Sequence, residues 1–205
     1  MKPVVHIVDD DESYRTATAR LLSAYGLTVE AYESGDQFLA HLPGCEPGCV
    51  LLDLQMPGQS GLQIQRQLCE QAPLLPIIFL TGEGDIKASV DAMKAGAQDF
   101  LEKPSSVSVL IETIGRALTQ YEKRRAEHEH LQKLRALVAC LSAREAEVFG
   151  LIIRGHLNKQ IAYALGISER TVKVHRHKVM EKLAAKSLAE VVSIAADIGR
   201  TATPG

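Results

Sequence analysis

The chain has 205 residues, room for more than one domain of ordinary size, and its 23 Lys and Arg nearly balance its 25 Asp and Glu. The balance conceals a split: residues 1–104 hold 7 basic against 15 acidic side chains, residues 105–140 hold 6 against 4, and residues 141–205 hold 10 against 6. An acidic front and a basic rear point to two modules with different partners, the rear one suited to nucleic acid, while a hydrophobic content of 46% excludes wholesale disorder.

The N-terminal MKPVVHIVDDDES does not read as a secretory signal, because acids follow the apolar stretch within a few residues. Val4–Val8 is a β-branched strand ending in acids. Thr16 to Tyr25 carries apolar residues at Ala17, Leu21, Leu22 and Tyr25, a helical spacing closed by Gly26. Thr28–Tyr32 reads as a strand, Asp36–Leu42 as a helix, and Cys49–Asp53 as an apolar strand again ending in an acid. Leu62–Leu68 is helical, Ile77–Leu80 a strand, Ile86–Ala95 a helix and Asp99–Glu102 a last short strand. Five strands alternating with helices predict an α/β fold with a doubly wound parallel sheet, helices covering both faces. Right-handed crossovers then put every strand's C-terminal end on one edge. Asp9 and Asp10, Asp53, Thr81 and Lys103 all fall at that edge, where open α/β sheets bind their ligands.

From Arg116 to Phe149 there are 34 residues without Gly or Pro, including YEKRRAEHEHLQKLRALVACL. The stretch predicts one long helix of ~50 Å, with apolar ends at Ile114, Leu118 and Tyr121 and at Leu131, Leu134, Val138 and Leu141. Its centre, Glu122–Glu129, is polar except for Ala126. Behind it come four short helices. Ser142-Ala-Arg-Glu145 and Ser187-Leu-Ala-Glu190 have the capping-box pattern, and Gly166-Ile-Ser168 is a tight turn between Asn158–Leu165 and a basic helix. Two short helices joined by such a turn have the form of a helix-turn-helix.

Adjacent carboxylates facing a third repel unless a hard cation bridges them, and Mg²⁺ suits such a site. Lys103 adds a point charge and Thr81 a hydroxyl donor, so Asp53 reads as a nucleophile that accepts a phosphoryl group. The pieces VHIVDDDES, LLDLQMPGQSG, FLTGEGD and AMKAGAQDFLEKP resemble the receiver domain of two-component response regulators over residues 3–120. The resemblance implies a sheet order of 2-1-3-4-5 and phosphorylation of Asp53 by a sensor histidine kinase. It implies Mg²⁺ bound by Asp10, Asp53 and the backbone carbonyl of Gln55, with Asp9 holding metal-bound water; Mn²⁺ or Ca²⁺ can take its place in crystals. Thr81 and Lys103 would contact the phosphoryl oxygens, Phe100 would be the aromatic switch, and Lys103-Pro104 would be cis. Ser105 departs from the Phe common after that proline. Gln55 and Glu83 flank the path of an attacking water and would tune dephosphorylation.

In the basic rear, LSAREAEVFGLIIRGHLNKQIAYALGISERTVKVHRHKVMEKLAAKSLAEVV resembles the four-helix LuxR-type DNA-binding domain, and the whole chain resembles the FixJ subgroup of response regulators. That resemblance implies base contacts from Lys173, Val174 and His177 and phosphate contacts from Asn158, Lys159, Thr171, His175 and Arg176. Arg170 joins them on the exposed side of the basic helix. His177 departs from the Lys that several relatives carry. Leu188, Val191, Val192 and Ala195 form a stripe that covers the domain's own core in part and offers a dimer contact in part. The implied division is residues 1–119 receiver, 120–140 linker helix continuing the fifth receiver helix, and 141–205 DNA-binding domain.

The function expected is a phosphorylation-controlled transcription factor and not an enzyme, limited to self-phosphorylation from acyl phosphates and slow autodephosphorylation. Phosphorylation would favour a homodimer through the face made by the Ile86–Ala95 helix, the last strand and the helix after it. Its partners would be promoter DNA and RNA polymerase, and its location cytoplasmic, with the four cysteines (45, 49, 69 and 140) reduced. Two rivals share the residues. A hydrolase of small phosphomonoesters would need a second acid where Gln55 stands, and a phosphoryl sink or adaptor would use the basic rear to bind protein.

Overall fold

The computed structural model describes residues 3–42, 47–82, 90 and 92–200. The chain divides into two compact units, residues 1–125 and 126–205. The first unit holds strands β1 (Val4–Val8), β2 (Thr28–Tyr32), β3 (Gly48–Asp53), β4 (Ile77–Thr81) and β5 (Asp99–Glu102). They form one sheet in the order β2-β1-β3-β4-β5, every neighbouring pair parallel. β1, β3 and β4 are buried along their whole length, as strands covered on both faces must be, and β2 and β5 are the partly exposed edges. Alternate side chains feed two cores. Val8, Val50, Leu52 and Phe79 pack with Phe38, Ile64 and Leu68 on one face; Val5, Ile7, Leu51, Ile78 and Leu80 pack with Leu22, Leu110 and Ile114 on the other.

Three helices here are α1 (Glu12–Ala24), α2 (Gly35–His41) and α3 (Gly61–Gln71). α1 starts earlier than its apolar spacing predicts because the Asp11 carboxylate accepts the Tyr14 amide at 3.0 Å and caps the first turn. Its inward stripe is Tyr14, Thr18, Leu21 and Leu22, while Ala17 and Tyr25 are exposed. The predicted helix Ile86–Ala95 falls largely on residues 83–89 and 91, outside the described residues; residues 92–94 are helical. The Lys103-Pro104 bond is cis.

At Gly61 the chain comes close to itself: a Cβ there would lie 2.4 Å from the Asp53 carbonyl oxygen and 2.9 Å from the Phe79 ring. Gly61→Ala is expected to lower the urea midpoint by the equivalent of about 1–3 kcal/mol, the usual penalty for overpacking.

Helix α4 (Val107–Ala139) contributes residues to both units. Leu110, Ile114 and Ala117 belong to the sheet-side core of the first unit, residues 122–130 are exposed, and Leu134, Leu137 and Val138 are buried or half-buried in the second. The division at residues 125/126 lies within the predicted 120–140 linker. The second unit adds α5 (Ala143–Ile152), α6 (Asn158–Leu165), α7 (Glu169–Lys182) and α8 (Leu188–Arg200) around Val148, Ile152, Ile161, Val172, Val179, Leu183 and Val191. Gly166 closes α6 in the left-handed region, φ 65°, which makes the turn into α7.

Candidate phosphoryl-acceptor site and nucleic-acid interface

Parallel register carries the C-terminal ends of β1, β3, β4 and β5 to one edge and there assembles the acidic pocket. Carboxylate oxygens of Asp9, Asp10 and Asp53 lie within 4.8 Å of one another; Asp9 and Asp53 are buried and Asp10 is exposed. Lys103 enters from the end of β5, donating from Nζ to Asp9 Oδ2 at 2.6 Å and to Asp53 Oδ2 at 2.8 Å. The remaining oxygen of each acid accepts a main-chain amide, Asp11 N to Asp9 Oδ1 at 3.0 Å and Gln55 N to Asp53 Oδ1 at 3.1 Å. Burial raises the Asp9 carboxyl above the usual carboxylate range, against the pull of Lys103. For Lys103, burial works to lower the ammonium, but its bonds to Asp53 and Asp9 prevail and hold it above its ordinary value. Three acids facing one cation leave a surplus of negative charge. An all-oxygen donor set with one solvent-facing member suits a small hard divalent ion such as Mg²⁺.

The other predicted pocket residues sit around this core. Thr81 is buried and donates its hydroxyl to the Gly82 carbonyl at 3.0 Å, while its own carbonyl accepts the Lys103 amide at 2.7 Å. Phe100 is half-buried against the α2–α3 side of the sheet. Gln55 is exposed; Glu83 lies outside the described residues. Two participants were missed from sequence. The Lys103 ammonium stands 4.6 Å from the centre of the Tyr14 ring, a cation–π contact, and Arg15 donates to the Asp9 carbonyl at 2.6 Å. Both follow from the Asp11 cap, which starts α1 early enough to bring its first turn over the pocket.

In the second unit the helix-turn-helix is α6, the turn at Gly166 and α7, whose N-cap Ser168 accepts the Thr171 amide at 3.1 Å. Val172, Val179 and Leu183 face the core, leaving Arg170, Lys173, Val174 and His177 exposed on one side. Of the other predicted contacts, all but Lys159 are engaged or turned inward. Arg176 donates to Asn158 Oδ1, the Thr171 hydroxyl bonds the Ser168 hydroxyl at 2.8 Å, and His175 is half-buried. Lys159 is exposed. On α8, Val191 is fully buried in the domain's own core and so is unavailable to a dimer contact, because a residue at 0% exposure has no surface to offer; Leu188 and Val192 are exposed and Ala195 is half-buried. The Ser187 box also differs: Glu190 N donates to Ser187 Oγ, but the Glu190 carboxylate reaches one residue further back, to Lys186 N at 2.7 Å.

The Ser142 box is complete, with Ser142 N donating to Glu145 Oε2 at 2.8 Å and Glu145 N donating to Ser142 Oγ at 3.4 Å. Lys182, in the last turn of α7, donates to the same Glu145 Oε2 at 2.7 Å and to the Cys140 carbonyl at 3.1 Å. Chiefly because of Lys182, the Glu145 carboxyl is lowered to about 2. An unfolded Glu titrates near ~4.3. The stabilisation is therefore full above that pH and is lost as the pH falls through about 2. In thermal melts the Glu145→Gln protein is expected to trail wild type at pH 7, and the gap to close as the pH falls from ~5 towards 2.

A buried carboxylate beside a lysine at the mouth of a doubly wound sheet, with a helix-turn-helix on the same chain, is the arrangement of a phosphoryl-accepting regulator that binds DNA. Residues 5–115 match the model for the response regulator receiver domain, and residues 139–195 match that for the bacterial regulatory proteins of the luxR family. The chain is 43% identical to the transcriptional regulatory protein FixJ of Rhizobium meliloti (strain 1021) over 191 residues, 93% of this chain and 94% of FixJ. It is 41% identical to the response regulator protein TodT of Pseudomonas putida F1, over 93% of this chain and 84% of TodT. The solved response regulator StyR superposes with a TM-score of 0.84 at 44% identity, covering 96% of this chain and 99% of StyR. Full-length FixJ from B. japonicum gives 0.61 at 38% identity, covering 98% of each chain. The chain belongs to the response regulators that join a receiver domain to a LuxR-type DNA-binding domain, and it is a FixJ-like regulator of transcription. Among the described residues, no helix is long and apolar enough to cross a membrane.

Proposed function

We propose that Asp53 is the phosphoryl acceptor of this regulator and that its phosphorylation by a sensor histidine kinase drives dimerisation and promoter binding in the cytoplasm. The supporting observation is the convergence of Asp9, Asp10, Asp53 and Lys103, drawn from the ends of three strands, on one pocket. A carboxylate oxygen of Asp53 attacks phosphorus; the O–P bond forms as the P–N bond of the kinase phosphohistidine breaks, and the departing imidazole keeps the electron pair. Lys103, already on Asp53 Oδ2, needs little movement to pair with the phosphoryl oxygens. Asp10, Asp53 and the Gln55 carbonyl would hold Mg²⁺, with Asp9 acting through water. When bound, the ion offsets the charge of the phosphoryl oxygens.

Thr81 exchanges its bond to the Gly82 carbonyl for one to the new phosphoryl group. Phe100, half-buried on the adjacent strand, then turns inward and alters the dimerising face. Gln55 and Glu83 tune the loss of the phosphoryl group to water. Leu188 and Val192, with Ala195, pair two DNA-binding domains. Lys173, Val174 and His177 then read base edges in the major groove, helped by Arg170. Lys159 and Asn158 hold the backbone, with Thr171, His175 and Arg176 steadying the helix beside it. Bound protein recruits RNA polymerase, and the chain's own chemistry is confined to phosphorylation from acyl phosphates and slow autodephosphorylation.

The test is selection of genomic fragments by the purified protein, with Mg²⁺, with and without acetyl phosphate, at one salt concentration. Discrete sites enriched only by the phosphorylated protein are expected. Equal enrichment in both states would place control elsewhere than Asp53, and no enrichment in either would replace DNA by a protein partner.

A further inference from the structure

A closed circuit of contacts ties the first turn of α1 to the acid pocket. Asp11 N donates to Asp9 Oδ1 at 3.0 Å, and the Asp11 carboxylate accepts the Tyr14 amide at 3.0 Å. The Tyr14 ring then lies under Lys103 Nζ, 4.6 Å from its centre, and Nζ donates back to Asp9 Oδ2 at 2.6 Å. Tyr14 is half-buried and packs against the core that holds Leu22 and Leu110. Its hydroxyl stands beside those of Thr18 and Ser105. Burial raises the phenol above its ordinary value, so Tyr14 offers Lys103 the face of a neutral ring and not a charge.

We propose that Tyr14 is a positioning residue for phosphoryl transfer: its ring holds the Lys103 ammonium where the oxygens of the incoming phosphoryl group arrive. The proposal rests on the reading of Asp53 as the acceptor and names a residue that sets the rate of its reaction. A lysine head is a point charge on a flexible four-carbon stem, so it must be fixed from outside to meet a reacting group. Three partners fix this one: Asp9, Asp53 and the ring. During transfer Nζ exchanges Asp53 Oδ2 for a phosphoryl oxygen, which leaves Asp9 and the ring as the contacts that persist. A further carboxylate in place of the ring would also hold the cation, but it would add to the surplus negative charge and repel the phosphoryl group. The ring anchors the ammonium without that charge, and it helps to keep the Lys103 side chain, 17% exposed, from hydrating fully. A cation held in place before the reaction needs no reorganisation during it.

Two measurements on the full-length protein test this. In proton–carbon correlation spectra of the wild-type chain labelled at lysine, the Lys103 ε-methylene protons are assigned by their loss in Lys103→Arg. They are expected upfield of those of the other lysines, because they lie over a ring. The second measurement is phosphoryl uptake from acetyl phosphate with Mg²⁺, followed by intact mass. Uptake is expected to slow about fivefold in Tyr14→Leu, the size of a partly desolvated cation–π contact, and to stay within about twofold of wild type in Tyr14→Phe, which keeps the ring. Ordinary Lys103 shifts in the wild-type protein would overturn the proposal, and that result needs no variant to fold. Unchanged uptake in Tyr14→Leu would overturn it too. Equal slowing in Tyr14→Phe would overturn it in favour of the hydroxyl beside Ser105. If the wild-type protein takes up no phosphoryl group on Asp53, it is the acceptor reading that fails, and the Lys103 shift still decides whether the ring holds the ammonium.

Discussion

The Asp53→Asn protein, incubated with acetyl phosphate and Mg²⁺, is expected to take up no phosphoryl group and to bind operator DNA with the same affinity before and after the incubation. An amide oxygen is a far weaker nucleophile than a carboxylate, and no neighbour in the pocket can replace it. Both Asp9 oxygens are already engaged, Oδ1 by the Asp11 amide and Oδ2 by Lys103, and Asp10 stands exposed at the rim. The variant should nevertheless fold. Removing one of three crowded negative charges relieves repulsion, and Lys103 keeps its 2.6 Å bond to Asp9, so the melting temperature should equal or exceed that of wild type. Intact-mass measurement after the incubation reads the phosphoryl group directly. Stoichiometric phosphorylation of a folded Asp53→Asn protein would move the acceptor to another carboxylate and remove the basis of the proposed switch.

The receiver pocket could be read from the sequence because parallel β-structure converts linear order into spatial position: every strand ends at the same edge, so an acid or lysine that closes a strand falls in the pocket whatever its distance along the chain. What could not be read depends on side-chain reach. That Lys103 pairs with Asp9 as well as Asp53 depends on the reach of its side chain, and that it lies over Tyr14 follows from the cap at Asp11, which starts α1 a turn early. The apolar spacing of α1 also misled. Ala17 and Tyr25 fit the helical period but are exposed, and Thr18 faces the core, because a short helix against a twisted sheet buries a narrower stripe than its apolar residues mark. In the basic domain, periodicity places Val172, Val179 and Leu183 on one helix face, and that face is the core. It could not tell that Arg176 bonds Asn158 instead of standing free, or that Val191 is wholly consumed by its own domain, since both depend on how neighbouring helices pack.

That packing leaves exposed both Lys173 and Lys159, to which the resemblance gives a base contact and a phosphate contact, and their removal should have different signatures. Lys173 stands on the exposed side of α7 with Val174 and His177, one turn in from the N-terminus of the helix, where a recognition helix meets base edges. Lys159 is exposed at the start of α6, where a helix N-terminus meets the phosphate backbone. Lys173→Ala is expected to weaken binding to the selected operator by about 1–3 kcal/mol, roughly tenfold to a hundredfold, while binding to unrelated DNA changes little. Lys159→Ala is expected to weaken both by similar factors and to reduce the slope of log affinity against log salt by about one, the mark of a lost phosphate contact. Salt titrations of each variant on operator and on random duplex read all four quantities. If Lys173→Ala weakened both DNAs equally and lowered the salt slope, Lys173 would be a backbone contact, and sequence readout would pass to Val174, His177 and Arg170. If neither variant altered binding, α7 would not enter the groove, whatever its charge.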